Sequence, residues 1–292
     1  MKEFIKKNKI KFVSIFTTEK RVDFKILNII GLQILRYLFS KIIYLISGFF
    51  FHNKKILQNY DRDGYLLINN FLDQNEYIKL KEEFEIIINT KGKNIYDIAR
   101  DNHKNANSSV NHMAYDFKND PDINVKFPNI SKFYNNVKLS ELFKNAERKK
   151  NINLFMRIER IVTKDKFKND ANTYWHADTF HDTHKGWLYL TDVKKENGPF
   201  NYLVGSNKFS FSRMMWEYYN SIQTFLDTTL SLGFLDYKLS NKFEAKKIEV
   251  ICKENSFLIA NTHGYHRRGN AETNQIRDGF AFYVRENPFK KF

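Results

Sequence analysis

The chain has 292 residues, 42% of them hydrophobic and 16% aromatic, which can furnish the core of one large domain and excludes an intrinsically disordered protein. The formal net charge is +15, but the basic residues are scattered and accompany no nucleic-acid-binding motif, so no nucleic-acid partner is predicted. The single cysteine, Cys252, excludes an internal disulfide and a cysteine-rich metal site, and it favours a reducing, cytoplasmic compartment.

The first 56 residues differ in composition from the rest and are predicted to form a segment that precedes a domain at 57–292. Residues 1–25 carry eight Lys or Arg against three acids and lack apolar periodicity, which is typical of a solvated basic arm. Residues 26–51 are dominated by Ile, Leu and Phe, and their polar residues fall near one narrow side of a helix. This pattern predicts an amphipathic helix.

The environment of the helix at 26–51 stays open at this point. Arg36 and Lys41 interrupt the apolar stretch and disfavour a membrane span, and no cleavage site of the Ala-x-Ala type follows to indicate a secretory signal. The helix can lie in a membrane interface beside its basic neighbours, or it can pack on the following domain or on a second subunit. We therefore expect a cytoplasmic protein, with peripheral membrane contact through 26–51 as an open alternative.

The domain itself begins with a turn and a strand at 59–68. Asp73 followed by Glu76 resembles a capping box and indicates the start of a helix. Residues 91–125 are rich in Asn, Asp and Lys and are predicted to form a long loop, and loops of this length inside a domain are often lids or binding loops. His103 and His112 lie in it, each as a solvated loop residue or as a contact to substrate. Further elements predicted from apolar spacing are helices at 74–89, 130–146 and 213–231 and strands at 153–162 and 256–260.

Three side chains in this domain form a candidate metal site. His176 and Asp178 are two residues apart, and because two residues is the repeat of a β-strand, both side chains can leave the same face of an extended backbone. His266 follows the predicted strand at 256–260 and is the third candidate. Two His and one Asp with open coordination positions suit non-haem Fe(II), whereas a structural zinc site is normally closed by four protein ligands.

Two other histidine arrangements compete with this ligand set. His263 can replace His266 in the distal position, although the two residues lie on opposite faces if the strand continues. A zinc site built from His176, His181 and His184 needs an intervening turn, because residues five and eight positions further along a strand point to opposite faces.

The motifs around the candidate ligands have a characteristic order. In chain order they are His176-x-Asp178, KGWLYLTDV at 185–193, ENGPF at 196–200, GSNK at 205–208, His266 and Arg277. This order and spacing resemble the phytanoyl-CoA dioxygenase family of Fe(II)/2-oxoglutarate oxygenases over about residues 57–290. The resemblance implies a mainly β fold with flanking helices around a double-stranded β-helix, that is, a cupin-like jelly roll, here with the N-terminal amphipathic helix added.

The same resemblance implies roles for individual residues. His176, Asp178 and His266 would hold iron. Arg277 would bind the distal carboxylate of 2-oxoglutarate, since a planar guanidinium pairs with a carboxylate through two parallel hydrogen bonds. Aromatic candidates for the wall of the co-substrate pocket are Trp187, Tyr189 and Phe282, and the alternative for them is ordinary barrel core.

Two departures from the family pattern concern the loops near the site. Asn207 stands where the family often has His in the Gly-Ser-His-Lys turn, and Arg268 stands where it often has a small hydroxyl residue. Whether the protein donates a second hydrogen bond to the co-substrate therefore stays open.

The activity implied by the resemblance is hydroxylation of an unidentified small-molecule or lipid-linked substrate with Fe(II), 2-oxoglutarate and O2, releasing succinate and CO2. Asp178 favours hydroxylation, because related iron halogenases replace this carboxylate with a small residue so that chloride can occupy the vacant position. Two alternatives are a catalytically silent jelly-roll binding protein and a membrane-associated interaction protein built around 26–51.

Overall fold

The computed structural model describes residues 14–18, 22, 25–51, 53–94, 110–119, 121–164, 171–223, 246–284 and 286–292. The helices are α1 Lys25–Ile29, α2 Leu32–Phe51, α3 Lys54–Asp63, α4 Gln74–Lys91, α5 Pro121–Lys126, α6 Pro128–Tyr134, α7 Val137–Glu147 and α8 Phe211–Gln223. The strands are β1 Tyr65–Ile68, β2 Lys93–Asn94, β3 Val110–Asp116, β4 Leu154–Thr163, β5 His184–Tyr189, β6 Phe200–Leu203, β7 Lys247–Val250, β8 Ser256–Asn261, β9 His266–Arg268 and β10 Ile276–Val284.

The strands form two antiparallel sheets. The larger sheet has the order β1-β8-β5-β10-β4-β3-β2, and the smaller has the order β7-β6-β9. Side chains of β5 and β8, such as Tyr189 and Leu258, pack against Phe200 and Tyr202 of β6, so the two sheets face each other. The predicted mainly β jelly roll with flanking helices is confirmed.

The outer face of the larger sheet is covered by helices. Phe84 of α4 and Phe143 of α7 are fully buried with Phe257, Phe280 and Phe282 of the sheet in one apolar cluster. On β10 the even-numbered residues enter this cluster because successive side chains of a strand alternate between faces. The odd-numbered residues of β10 therefore face the interior between the sheets.

The predicted helix at 74–89 and the strands at 153–162 and 256–260 are confirmed by α4, β4 and β8. Asp73 caps α4 by accepting a hydrogen bond from the Glu76 amide. The predicted helix at 130–146 is divided into α6 and α7, because the Asn136 side chain accepts from the Leu139 amide and starts a new helix. The predicted helix at 213–231 is confirmed by α8 as far as residue 223, and 224–231 lie outside the described residues.

The long loop predicted at 91–125 is wrong in part. The region contains β3 at Val110–Asp116 and α5, and β3 pairs with β4 along its whole length. The sequence of β3 hides this strand, because polar side chains such as His112 occupy its partly buried positions and break the apolar alternation. His103 lies outside the described residues.

The predicted N-terminal amphipathic helix is observed as α1 and α2, which are separated at Gly31, whose φ of 99° lies in the left-handed region. The helices α1 and α2 pack on the domain through polar contacts. The Lys41 ammonium lies 2.8 Å from an Asp182 carboxylate oxygen and donates to the Asn207 carbonyl, and Tyr218 of α8 donates to the Ile29 carbonyl. Among the described residues, α2 alone is long and apolar enough to cross a membrane by length and composition.

A buried ion cluster ties the C-terminus to β5, the strand that lines the interior. Glu147, at the end of α7, has its Oε1 atom 2.8 Å from His184 Nδ1, and its carboxylate also pairs with Lys291. All three side chains are buried. Burial opposes ionisation of Glu147, but Lys291 and His184 outweigh it and lower the pKa of this carboxyl to about 2.

We expect Glu147→Gln to lower the free energy of unfolding by about 3–5 kcal/mol, because it leaves the buried Lys291 ammonium without a counter-charge. Since the pKa of Glu147 is depressed, its contribution is present at neutral pH and is lost as the pH falls towards 2. Urea denaturation measures the change. The matched control is Glu141→Gln on the same helix, where the exposed carboxylate pairs only with Lys144, so a loss as large there would contradict the prediction.

Candidate metal centre

Main-chain hydrogen bonds bring the three predicted metal ligands together. His176 and His266 exchange backbone N–H···O bonds of 3.0 and 2.9 Å, and the Asp178 amide donates to the Thr262 carbonyl at 3.0 Å. As a result, one ligand atom from each of His176, Asp178 and His266 lies within 4.8 Å of the other two. In the part of the chain that the structure describes, this is the one cluster of three His, Cys, Asp or Glu side chains spaced to share an ion.

The protonation of both imidazoles is set by their second nitrogen. His176 Nδ1 lies 2.7 Å from the Tyr174 carbonyl oxygen, and His266 Nδ1 lies 3.0 Å from the Gly264 carbonyl oxygen. A carbonyl only accepts, so each Nδ1 carries the proton and each Nε2 keeps a lone pair. The Nε2 atom of His266 faces Asp178 Oδ2 at 3.8 Å. Two neutral imidazole nitrogens and a carboxylate therefore fit a divalent transition metal.

Electrostatics keep His266 and Asp178 in the forms that bind metal. Burial, with repulsion from His176, lowers the pKa of His266 to about 3, so the imidazole is neutral. Burial opposes ionisation of Asp178, but Lys185, whose Nζ is 2.8 Å from Oδ2, and the two imidazoles outweigh it and hold the pKa of this carboxyl below its usual range. Deprotonated ligands are what metal coordination requires.

The three ligands occupy one side of a cavity of about 160 Å³ between the two sheets. Three protein donors would leave coordination positions of a transition metal open to a co-substrate. Beyond the ligands, the cavity is lined by Lys185, Trp187 and Tyr189 of β5, Arg268 of β9, and Arg277 and Tyr283 of β10.

The predicted co-substrate residues divide between the cavity and the core. Arg277, Trp187 and Tyr189 all line the cavity, and the Arg277 guanidinium donates to the Gly198 carbonyl. Phe282 does not, so its prediction as a pocket wall is wrong. It lies on the even face of β10 and packs on Phe133 and other core rings, whereas Arg277 lies on the odd face.

Two charged residues of the cavity, Glu159 and Lys185, are not among the site residues predicted from the sequence, whereas His112 is predicted as a loop residue that can touch substrate. His112 Nε2 and Glu159 Oε2 are 3.0 Å apart and both line the cavity. Lys185, which pairs with Asp178, was seen only as part of a motif. The alternation of β4 could have placed Glu159 inside, but its partner lies in the strand that was read as a loop.

The competing histidines have other partners. His263 Nδ1 is 3.1 Å from the Thr179 carbonyl oxygen and 3.3 Å from an Arg213 nitrogen. His184 is paired with Glu147, and His181 Nδ1 contacts the Asp182 carbonyl at 3.0 Å. Neither the His263 alternative nor the zinc set with His181 and His184 is brought together among the described residues.

Of the two departures from the family pattern, Arg268 lines the cavity and Asn207 does not. Asn207 is remote from the cavity and uses its backbone carbonyl to accept from Lys41 of α2. Arg268 lines the cavity, so a second guanidinium stands where the resembled family often has a small hydroxyl residue.

Comparison with known proteins identifies relatives of this fold. The model of the family "Phytanoyl-CoA dioxygenase (PhyH)" matches residues 60–247, more than half of the chain; it includes His176 and Asp178, while His266 and Arg277 follow it. The epimerase SnoN, solved with Fe3+, alpha ketoglutarate and nogalamycin RO, is 14% identical with a TM-score of 0.52 and covers 80% of this chain and 83% of its own. No curated protein matches the chain.

A second solved structure resembles this chain to a similar degree. HygX from Streptomyces hygroscopicus, with nickel, 2-oxoglutarate and hygromycin B bound, is 15% identical with a TM-score of 0.51 and covers 82% of this chain and 90% of its own. At these identities the likeness establishes the fold.

Proposed function

The chain belongs to the phytanoyl-CoA dioxygenase family, and from that premise we propose that it is an Fe(II)- and 2-oxoglutarate-dependent oxygenase that hydroxylates a small-molecule or lipid-linked substrate. The observation that carries the proposal is the convergence of His176, Asp178 and His266 on one side of a cavity whose lining also includes Arg277. SnoN and HygX, which share the fold, were both solved with this co-substrate and a metal.

Each residue of the site has a role in this proposal. His176, Asp178 and His266 would hold Fe(II), and Arg277 would bind the distal carboxylate of 2-oxoglutarate. When bound, iron and 2-oxoglutarate activate O2, so that one oxygen atom enters the substrate as a hydroxyl and the other enters succinate, with release of CO2.

The chain supplies the environment for that chemistry. Lys185 holds the Asp178 carboxylate in its ionised form, and the carbonyls of Tyr174 and Gly264 fix both imidazoles in the ligating tautomer. Trp187 and Tyr189 give the cavity an aromatic wall.

Hydroxylation is the specific reaction we propose within the wider class. The presence of Asp178 supports it, because the carboxylate occupies the position that iron halogenases leave to chloride. Relatives of this fold also include an epimerase, so the product decides the reaction. Hydroxylation adds one oxygen atom to the substrate, whereas epimerisation leaves its mass unchanged, and mass spectrometry of the product distinguishes the two.

Anaerobic titration of the full chain with Fe(II) and then 2-oxoglutarate tests the proposal. We expect a weak visible charge-transfer band that requires both additions and saturates at one equivalent, followed by succinate formation when air is admitted. Succinate in place of 2-oxoglutarate is the matched control, since it lacks the keto group and cannot chelate. Metal binding without the band and without turnover would instead support the silent binding protein.

A further inference from the structure

The N-terminal helices α1 and α2 expose apolar side chains and bury polar ones. From residue 26 to residue 50, every side chain that is exposed in the described structure is Ile, Leu or Phe, with exposed fractions of 43–87%. We call these side chains the apolar face, and they are Ile26, Ile29, Ile30, Leu35, Phe39, Ile42, Leu45, Ile46, Phe49 and Phe50. Along α2 they recur every three or four residues from Leu35 to Phe50, so they form one continuous stripe about 22 Å long.

The opposite side of the helices is polar and buried. Arg36 donates to the Ile15 carbonyl at 2.9 Å and to the Gln33 side chain at 2.8 Å, and Lys41 is paired with Asp182. Further buried polar side chains on this side are Asn28, Ser40 and Ser47. A surface helix of a soluble protein normally has the reverse arrangement. Because directional ion pairs and hydrogen bonds fix the polar side inward, the apolar face must point outward.

The apolar face is too large for an ordinary surface. The largest apolar patch on a monomeric soluble protein is typically about 300–600 Å². At roughly 150–250 Å² for each large side chain, and with exposed fractions of 43–87%, the ten side chains of the apolar face present on the order of 1,000 Å². An apolar medium or partner therefore covers it when the protein functions.

The charged residues around the apolar face indicate what kind of surface it binds. No Asp or Glu occurs between residues 24 and 60, and the face is preceded by eight Lys or Arg against three acids in residues 1–25. At the far end, Phe50 packs edge-on to Phe292 with ring centroids 5.9 Å apart, beside the exposed Lys290. A cleft there is lined by Phe50 and Phe51 together with Lys144, Lys149 and Lys150. Lys144 pairs with Glu141 and Lys149 pairs with Glu286, so Lys150 adds to the positive charge of Lys290 at this end.

We propose that the apolar face lies in the surface of a bilayer that contains anionic lipids, with the basic residues at its two ends on the headgroups. An amphipathic helix binds such a surface through its buried apolar area and through attraction of flanking Lys and Arg to acidic lipids. A second copy of the chain is a less favourable partner for the apolar face than an anionic bilayer. Each chain carries a net charge of +15, so a face-to-face dimer would bring like charges together.

The helix lies on the bilayer rather than across it. Its charged residues contact the folded domain, since the Arg36 guanidinium lies 4.3 Å from the centroid of the Phe180 ring and Lys41 pairs with Asp182. Both would have to leave these partners to enter a membrane core. The polar side also touches the segments that carry the metal ligands. Asp182, the partner of Lys41, accepts from Asn261 at 2.7 Å, and the Tyr37 ring packs on His263. The same helix that binds lipid therefore holds the site at a fixed position near the membrane.

Flotation of the full chain with vesicles tests the proposal. We expect binding to vesicles of phosphatidylcholine with about one third phosphatidylserine, at least ten-fold weaker binding to pure phosphatidylcholine, and loss of binding at high salt. The combined variant Phe39→Gln, Leu45→Gln, Phe49→Gln should bind anionic vesicles at least ten-fold more weakly. These side chains are exposed, so thermal unfolding should be unchanged.

The matched control places the same number of substitutions on exposed apolar side chains elsewhere, as Val125→Gln, Val137→Gln and Phe155→Gln, and should bind as the unaltered chain does. Absence of flotation with anionic vesicles at low salt would overturn the proposal, as would an equal loss in the control. Light scattering supplies a further test. A dimer that the triple variant of the apolar face converts to a monomer, without vesicle binding, would show that a second copy covers the face.

Discussion

Replacing His176 with alanine is expected to weaken metal binding by more than about 100-fold and to reduce succinate formation in proportion. Loss of the hydrogen-bond partner of a ligand typically costs about 10–100-fold in metal affinity, so loss of the ligand atom itself costs more. His176 is partly exposed, and its main-chain bonds to His266 do not need the side chain, so the fold should survive. Anaerobic Fe(II) titration and a succinate assay measure the two effects.

The control for this variant is His112→Gln in the same cavity. His112 pairs with Glu159 at 3.0 Å and lies outside the group of ligating atoms, so its loss changes the cavity while the metal still binds. If His176→Ala bound Fe(II) as tightly as the unaltered chain, the ligand assignment would be wrong. His263 is unsuited to replace it, because among the described residues it belongs neither to the group of converging ligand atoms nor to the lining of the cavity.

Local spacing was enough to predict the elements on which the site is built. The two-residue interval between His176 and Asp178 predicted that they share one side of an extended segment, and the structure brings both to one cavity. The alternation of β5 places Trp187 and Tyr189 on the same face, and both line the cavity. The same rule applied to β10 would have excluded Phe282, because it lies an odd number of positions from Arg277.

Long-range partners were not predictable from the pattern. The strand β3 was read as a loop because His112 faces a polar cavity, so the apolar alternation that identifies a strand is missing. The amphipathic helix was recognised, but amphipathicity does not say which side meets the protein. That is decided by Asp182, 141 positions from Lys41, whose carboxylate turns the polar side inward.

Replacing Arg277 with methionine is expected to raise the 2-oxoglutarate concentration needed for half-maximal turnover by about 100-fold, while Fe(II) binding is retained. Truncating one partner of a buried, hydrogen-bonded charge pair costs about 2–5 kcal/mol, and about 2.7 kcal/mol corresponds to 100-fold. Arg277 is not a member of the ligand set, so its loss should act on the co-substrate and not on the metal. Turnover at varied 2-oxoglutarate and Fe(II) titration separate the two.

Two further variants show whether Arg277 binds the carboxylate through two paired hydrogen bonds or only through its positive charge. Arg277→Lys keeps the charge but loses the paired donors, so it should recover only part of the affinity. Arg268→Met removes a guanidinium from the same cavity and is the matched control for lost charge. An equal rise for Arg268→Met and Arg277→Met would mean that the cavity attracts the co-substrate by its overall positive potential. A large rise confined to Arg277 would mean that one directed pair fixes the distal carboxylate, in keeping with the position of Arg277 on the interior face of β10, opposite Ile161 of β4.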